Sequence, residues 1–562
     1  MERRTVVALL LVLGVILVTP KLFPSTRPRA AAPVSAATPN LESNTPAGQG
    51  SAGATAPTTA PVNPNPAISI PRTDSVLLSG SPAANAEDVV VDGPLSNLEF
   101  STAGGSLQLV ELKGYAALDK SNRHVSLSAG RTPILSFRVV ADGDTVALAN
   151  HVLAVARTRK ASGQDVVSFS GQAGPHAVRI SYEIIPDSFL LRVTGGVNGP
   201  ESKGAFVLVE MPETLDSFEA DTNADHGSLA YAIKAGDRGA EGVTFRSLDP
   251  GERKIIPGPI TWAAAKNKYF IVGLLPDSGN QQFVEAQVTG GARTSRTPTR
   301  AHGTLVARPT AEGSFAFDLY AGPQQYQRLA ALGRDFENSN PYGGWLQGVV
   351  QPFATIVMKI LLWMKATLGW SYGALLVLFG VAVRLLMWPL NQGAMRTTMK
   401  MQRIQPELNA IQTKYKSDPQ KLQSEMMRVY KDHNMSPFSA FAGCLPILLP
   451  MPILFALFFV FQNTIEFRGV PFLWLTDISL KDPYYIVPLL MGVSMFVLSW
   501  IGLRNSPPNP QAKMMAYVMP VMMTVLFANF ASGLNLYYAV QNVAALPQQW
   551  LIANERSKAA RK

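Results

Sequence analysis

The stretch LLVLFGVAVRLLMWPLNQ, residues 375–392, sets the guanidinium of Arg384 inside an otherwise apolar run of helix length. An arginine at the centre of a membrane helix costs about 2.5–3.5 kcal/mol on insertion scales. Two arrangements relieve that cost. Arg384 stands six residues before Leu390, roughly 9 Å along a helix, so the side chain can snorkel to the headgroups. Alternatively it faces a wet cavity, where it stays solvated and attracts anionic groups. Position alone favours neither. A second polar set shifts the balance: Asn529, Ser532, Asn535, Tyr537, Tyr538, Gln541 and Asn542 crowd one apolar hairpin. Each needs a partner in hydrocarbon, which points to a shared interior groove. The chemistry on offer is hydration and charge pairing of a passing chain.

Reaction chemistry is sparse by contrast. His124, His151, His176, His226 and His302 are scattered without ligand spacing, and neither GxSxG, HExxH nor a phosphate-cradling glycine loop occurs. Structural roles are expected for these histidines. The single cysteine, Cys444, allows no disulfide within the chain and no cysteine metal cluster. No catalytic group, metal or cofactor is expected, and nothing resembles an ATPase. The apolar segments carry no Asp or Glu, which counts against a proton-coupled transporter with a carboxylate relay.

The elements that must position Arg384 follow from hydropathy. Residues 1–23 run from Arg3 and Arg4 through an apolar stretch to Lys21. The small-residue sites at Ala30 to Ala32 lie far beyond that core, so an uncleaved anchor is expected in preference to a cleaved signal. Residues 24–87 form a linker; ten prolines and no aromatic residue fall between Pro24 and Pro71, too little apolar surface to offset ordering. From 88 to 325 the pattern alternates. In AVRISYEI, Val178, Ile180, Tyr182 and Ile184 point one way and Arg179, Ser181 and Glu183 the other, which predicts a large antiparallel β-sandwich.

Residues 326–369 hold a connector and a helix in which Gln347, Gln351, Thr355 and Lys359 recur every four residues. That ridge predicts a helix lying in the membrane interface. Five hydrophobic segments follow, at 370–390, 438–464, 484–503, 514–531 and 532–553, each near the length a bilayer demands. NFASGLN, 529–535, supplies the fold-back between the last two. With the anchor these make six spans and place both termini in the cytoplasm. Charge agrees: of a net charge of +10, +9 falls from Arg384 onward, and 391–437 carries eight basic and four acidic residues. The 504–513 loop and the basic tail 554–562 then lie inside, and 465–483 is exported.

Segment 391–437 reads as a helical hairpin, with Met401, Ile404, Leu408, Ile411 and Tyr415 on one arm and Leu422, Met426 and Val429 on the other. Ser417-Asp418-Pro419 separates the two arms. Its basic face could touch ribosomal RNA or anionic lipid, or merely fix topology. Fifteen of the nineteen methionines fall at or after Met387, close to Pro446, Pro450, Pro452 and Pro520. Plain packing accounts for most such stripes, though soft walls also suit a changing apolar client.

The runs VRLLMWPLNQ, GCLPILLPMPILFALFFVF, DPYYIVPLLMGVSMF and ASGLNLYYAVQN, with the patterned hairpin, resemble the YidC family of membrane protein insertases. The resemblance implies an α-helical polytopic membrane protein with a five-helix insertase core and a large all-β periplasmic supersandwich domain. It implies an ATP-independent insertase and chaperone of the bacterial inner membrane. Its client-binding groove would hold Arg384, Asn529, Asn535, Tyr537, Tyr538 and Gln541. The positions matching a client slide on the third and fifth spans are Met451, Leu454, Met522 and Leu526. Two departures stand out: Pro450 where relatives can carry a polar groove residue, and Gly380 in place of a possible hydroxyl. Implied partners are nascent membrane-protein clients, the lipid bilayer, the Sec translocon (SecYEG, SecDF), and the ribosome or signal-recognition-particle receptor, with no specific nucleic-acid target. A channel, or a carbohydrate-binding sensor centred on the sandwich, is the competing class; deleting 88–325 would abolish the latter function and spare insertion.

Overall fold

The computed structural model describes residues 85–561, leaving out 120, 129, 131, 142, 200–203, 278–282, 294–296, 341–346, 434–450 and 504–509. The expected anchor at 1–23, nearly all of the 24–87 linker and roughly the first half of the 438–464 span lie outside the described residues.

Between Asp88 and Pro323 the described residues form sheets of four, nine and six strands, every pairing antiparallel. The alternation seen in AVRISYEI becomes the strand His176–Ile184, with Val178, Ile180 and Tyr182 buried and Arg179 exposed. It pairs with Asp165–Ala173 on one side and Leu190–Asn198 on the other, setting Tyr182 beside both Val167 and Val193. Tyr182 then closes an aromatic cluster with Phe100 and Phe169, and its buried hydroxyl donates to Gly105 O at 2.6 Å. Phe270–Pro276 is buried at every position. The cause lies outside the sheet: Phe336 covers its second face so closely that a Cβ at Gly273 would sit 2.3 Å from the ring.

The helical half begins with α1, Gln347–Leu368, followed by α2, Tyr372–Lys414, and α3, Pro419–Asp432. Then come α4, Met451–Asn463; α5, Ile486–Leu503; α6, Pro510–Phe527; and α7, Ser532–Arg561. Among the described residues, Tyr372–Pro389 and Ile486–Leu503 are long and apolar enough to cross a membrane, and Lys513–Phe527 is a shorter apolar helix. The helix that carries the expected 370–390 span continues past residue 390. α2 runs on for 43 residues, about 64 Å at 1.5 Å per residue. Pro389 and Pro406 each remove one backbone donor without ending it. Its far end packs Ile404 and Leu408 against Val429 and Tyr430 of α3, and Asp418 caps α3 by accepting from Lys421 N.

α1 buries Val350, Ala354, Val357, Leu361 and Met364 and packs on α4. Its opposite side exposes Phe353, Ile356, Ile360 and Trp363. α5 and α6 likewise expose Leu489, Val493, Trp500, Val518, Val521 and Val525. Apolar faces of this extent are at odds with a water-facing surface.

The two halves meet at 465–482. Arg468 pairs with Glu219 of the β domain and donates a second bond to Ala116 O. Tyr269 donates to Ser479 Oγ at 2.9 Å, and Tyr326 N donates to Glu466 Oε1 at 3.3 Å. The same segment holds the start of α7, where Ser532 N and Gly533 N donate to Leu480 O and Ile478 O. The β domain therefore braces the bundle at this segment.

Candidate functional site

The site is the seam between α2 and α7. Gly380 lets the two helices approach; a Cβ there would stand 3.0 Å from Val540 Cγ1 and 3.5 Å from the Tyr537 ring. The open carbonyl of Gly380 accepts from Gln541 Nε2 at 3.0 Å, and the same amide lies 3.0 Å from Tyr537 Oη. One turn on, Arg384 Nη2 donates to Gln548 Oε1 at 2.9 Å while Gln548 Nε2 donates to Trp388 O at 2.9 Å. Tyr537, Gln541 and Gln548 recur at helical spacing, so they form one polar face of α7 directed at α2.

Arg384 lies twelve residues past the start of α2, about 18 Å along the helix axis. It is half-buried, and its Nε is enclosed without a hydrogen-bond partner. Residues 370–390 and 532–553 hold no Asp or Glu, so a neutral amide, not a carboxylate, meets the charge. The positive charge is oriented yet not cancelled.

The other expected groove residues separate. Tyr537 is buried and packs against Phe379 and Tyr538, while half-buried Tyr538 stacks edge-on with Phe527. Asn535 is fully buried at the start of α7, donating to Phe527 O at 3.0 Å and closing the end of α6. Its Oδ1 has no partner. Asn529 is exposed in the intervening turn, away from Arg384's partners. Asn542 turns toward α5, donating to Ser494 Oγ at 3.2 Å. On the expected slide, Leu454 and Met522 are half-buried and Leu526 is 37% exposed. Met451 opens α4, and its side chain lies outside the described residues.

Sequence reasoning missed Gln548. The available signal was its position two turns beyond Gln541, on the same face of one helix. Outside the seam the histidines do not converge: His302 pairs with Glu213 at 3.0 Å and His176 is buried in the sheet. Among the described residues no group of three His, Cys, Asp or Glu is placed to hold a metal.

Two family descriptions divide the chain. Residues 363–559 match the 60Kd inner membrane protein family, and residues 88–356 match the YidC periplasmic domain. A membrane protein insertase YidC from Anaeromyxobacter sp. (strain Fw109-5) is 30% identical over 389 residues, which cover 68% of each chain. The chain belongs to the YidC family of membrane protein insertases. A YidC from Chlorobium limicola is similar over a longer stretch, 29% identical across 523 residues and 86% of both chains. A crystal structure of an active YidC insertase with its first transmembrane domain resolved shares 21% identity and covers 82% of this chain and 92% of that one. Its TM-score of 0.33 is too low to carry detail of the α2–α7 seam. Family membership makes this an inner-membrane protein with an all-β domain joined to a helical core.

Proposed function

We propose that this YidC-family chain inserts clients through a hydrated groove along the α2–α7 seam, with Arg384 as its charge centre. The observation that carries the reading is the Arg384–Gln548 contact. A guanidinium about 18 Å into an apolar helix is held by a neutral amide, beside the polar face of Tyr537 and Gln541. Snorkelling would send that side chain along the helix toward the surface; pairing with α7 turns it sideways into the bundle.

In this reading a client's short hydrophilic segment enters the groove from the cytoplasm and keeps much of its hydration there. Dry hydrocarbon would cost several kcal/mol for each unsatisfied polar group. The client's apolar segment meanwhile leaves along α4 and α6, past Leu454, Met522 and Leu526. Burial of that segment, at about 25 cal/mol per Å², drives the step. The groove belongs to a core of five spans, six with the N-terminal anchor, with both termini cytoplasmic and the β domain in the periplasm. The protein acts alone or with the Sec translocon, as insertase and chaperone.

The test is Arg384→Ala in the full chain, reconstituted into lipid vesicles, with clients whose N-terminal tails are acidic or neutral. Insertion of acidic-tailed clients should fall by about tenfold, the scale of one charge-assisted contact, and that of neutral-tailed clients by much less. Equal losses would overturn the groove reading.

A further inference from the structure

We infer that Gln548 is a positioning residue that aims the Arg384 guanidinium, an inference that rests on the groove reading above. The amide is committed at both ends to one short piece of α2. Oε1 accepts from Arg384 Nη2 and Nε2 donates to Trp388 O, each at 2.9 Å. A flipped amide would set donor against donor and acceptor against acceptor, so the two contacts fix one orientation. Gln548 is only 2% exposed, which leaves water little chance to compete for either end.

Its anchor is well chosen physically. Pro389 follows Trp388 and has no backbone donor, so the helical ladder of α2 is already interrupted at this turn. A bond from α7 to Trp388 O ties the weakened turn to the neighbouring helix. The guanidinium one turn earlier is thereby held at a fixed height in the seam. One nitrogen of Arg384 is engaged and another, Nε, is enclosed without a partner. A glutamate at 548 would pair with the guanidinium and neutralise it while leaving Trp388 O without its donor, and an apolar residue would leave the guanidinium free to swing toward lipid. A glutamine orients the charge and leaves it available to an anionic segment.

The experiment is a double-mutant cycle on the full chain in phosphatidylethanolamine–phosphatidylglycerol vesicles, with acidic-tailed and neutral-tailed clients. Gln548→Ala should reduce insertion of acidic-tailed clients by about tenfold, the value of one hydrogen bond to a charged group. Neutral-tailed clients should change by less than about twofold. Adding Gln548→Ala to Arg384→Ala should then cost nothing further, because the positioned group is gone. Gln548→Glu should abolish the preference for acidic tails, because its carboxylate pairs with Arg384, and it carries the test if the alanine variant does not fold. Additive losses in the double variant, or a Gln548→Glu protein that keeps the wild-type preference, would overturn the positioning role. An Arg384→Ala protein that loses insertion of both client sets by the same factor would instead remove the groove reading on which it stands.

Discussion

Arg468 Nε donates to Glu219 Oε1 at 2.7 Å across 249 residues of chain, and both side chains are 6% exposed. One partner comes from the β domain and the other from the segment joining α4 to α5. Arg468 also donates to Ala116 O at 2.9 Å and lies over the Phe270 ring at 5.5 Å. The contact therefore fixes the β domain on the 465–482 end of the bundle by a fork of donors. A point charge could not match that geometry.

Removing one partner of a buried pair strands the other charge, at a typical cost of about 3–5 kcal/mol. Arg468→Ala should lower the melting temperature and speed proteolysis within 465–482. Arg468→Lys should restore little, since one ammonium cannot serve Glu219 and Ala116 together. Wild-type proteolysis rates in Arg468→Ala would show that the joint is held by other contacts.

Two carboxylates make the same joint sensitive to pH. Burial pushes Glu219 from 4.5 up to about 7, against the pull of Arg468 and Lys268 and with Asp225 reinforcing it. Burial likewise pushes Glu466 to about 7; only backbone donors, Tyr326 N among them, oppose it, and its Oε2 has no partner. Both folded values lie above the unfolded one. The stability they allow is full below about 4.5 and is lost as pH rises to about 7, at up to ~1.4 kcal/mol per pH unit for each group. Melting temperature should fall between pH 5 and 7, and Glu466→Gln should flatten that fall. Identical slopes for variant and wild type would show that Glu466 does not titrate in this range.

α1 carries a prediction about depth. Ala354, Val357 and Leu361 pack in one core with α4, while Ile356 and Trp363 point outward at 54% and 65% exposure. A helix lying in the interface keeps its outward residues at one shallow level. Spin labels replacing Ile356, Ile360 and Trp363 should report similar, shallow depths in bilayers. A steady change of depth along the three positions would mean that α1 spans the membrane.

How much of this was legible beforehand depended on the range of the cause. The strand His176–Ile184 was readable because period-two alternation is local. The α2–α3 break was readable because Asp418 and Pro419 write a cap and a first helical position into adjacent residues. The continuation of α2 past residue 390 was not. What stops a span is the membrane surface, and the backbone of α2 continues through Pro389 to Lys414 unaffected. Arg384 announced itself as a charge among apolar residues, whereas Gln548 looked like any polar residue near a helix end. Its role exists only because Trp388 O and Arg384 come to it from 160 and 164 residues away. The Arg468–Glu219 pair was hidden for the same reason.

Asn529 and Asn535 were alike in the sequence, and the structure assigns them different surroundings. Asn535 is 0% exposed and donates to Phe527 O at 3.0 Å, giving a carbonyl at the end of α6 a second donor beside Phe530 N. Asn535→Ala should cost about 0.5–1.5 kcal/mol, the net value of one hydrogen bond, because Phe527 O keeps its bond from Phe530 N. Asn529 is exposed in the turn, where replacement by Ala should stay within about 0.5 kcal/mol. Thermal unfolding of the two variants side by side checks the contrast. If Asn535→Ala lowers client insertion while leaving the melting temperature unchanged, Asn535 serves the groove directly and its capping bond is incidental.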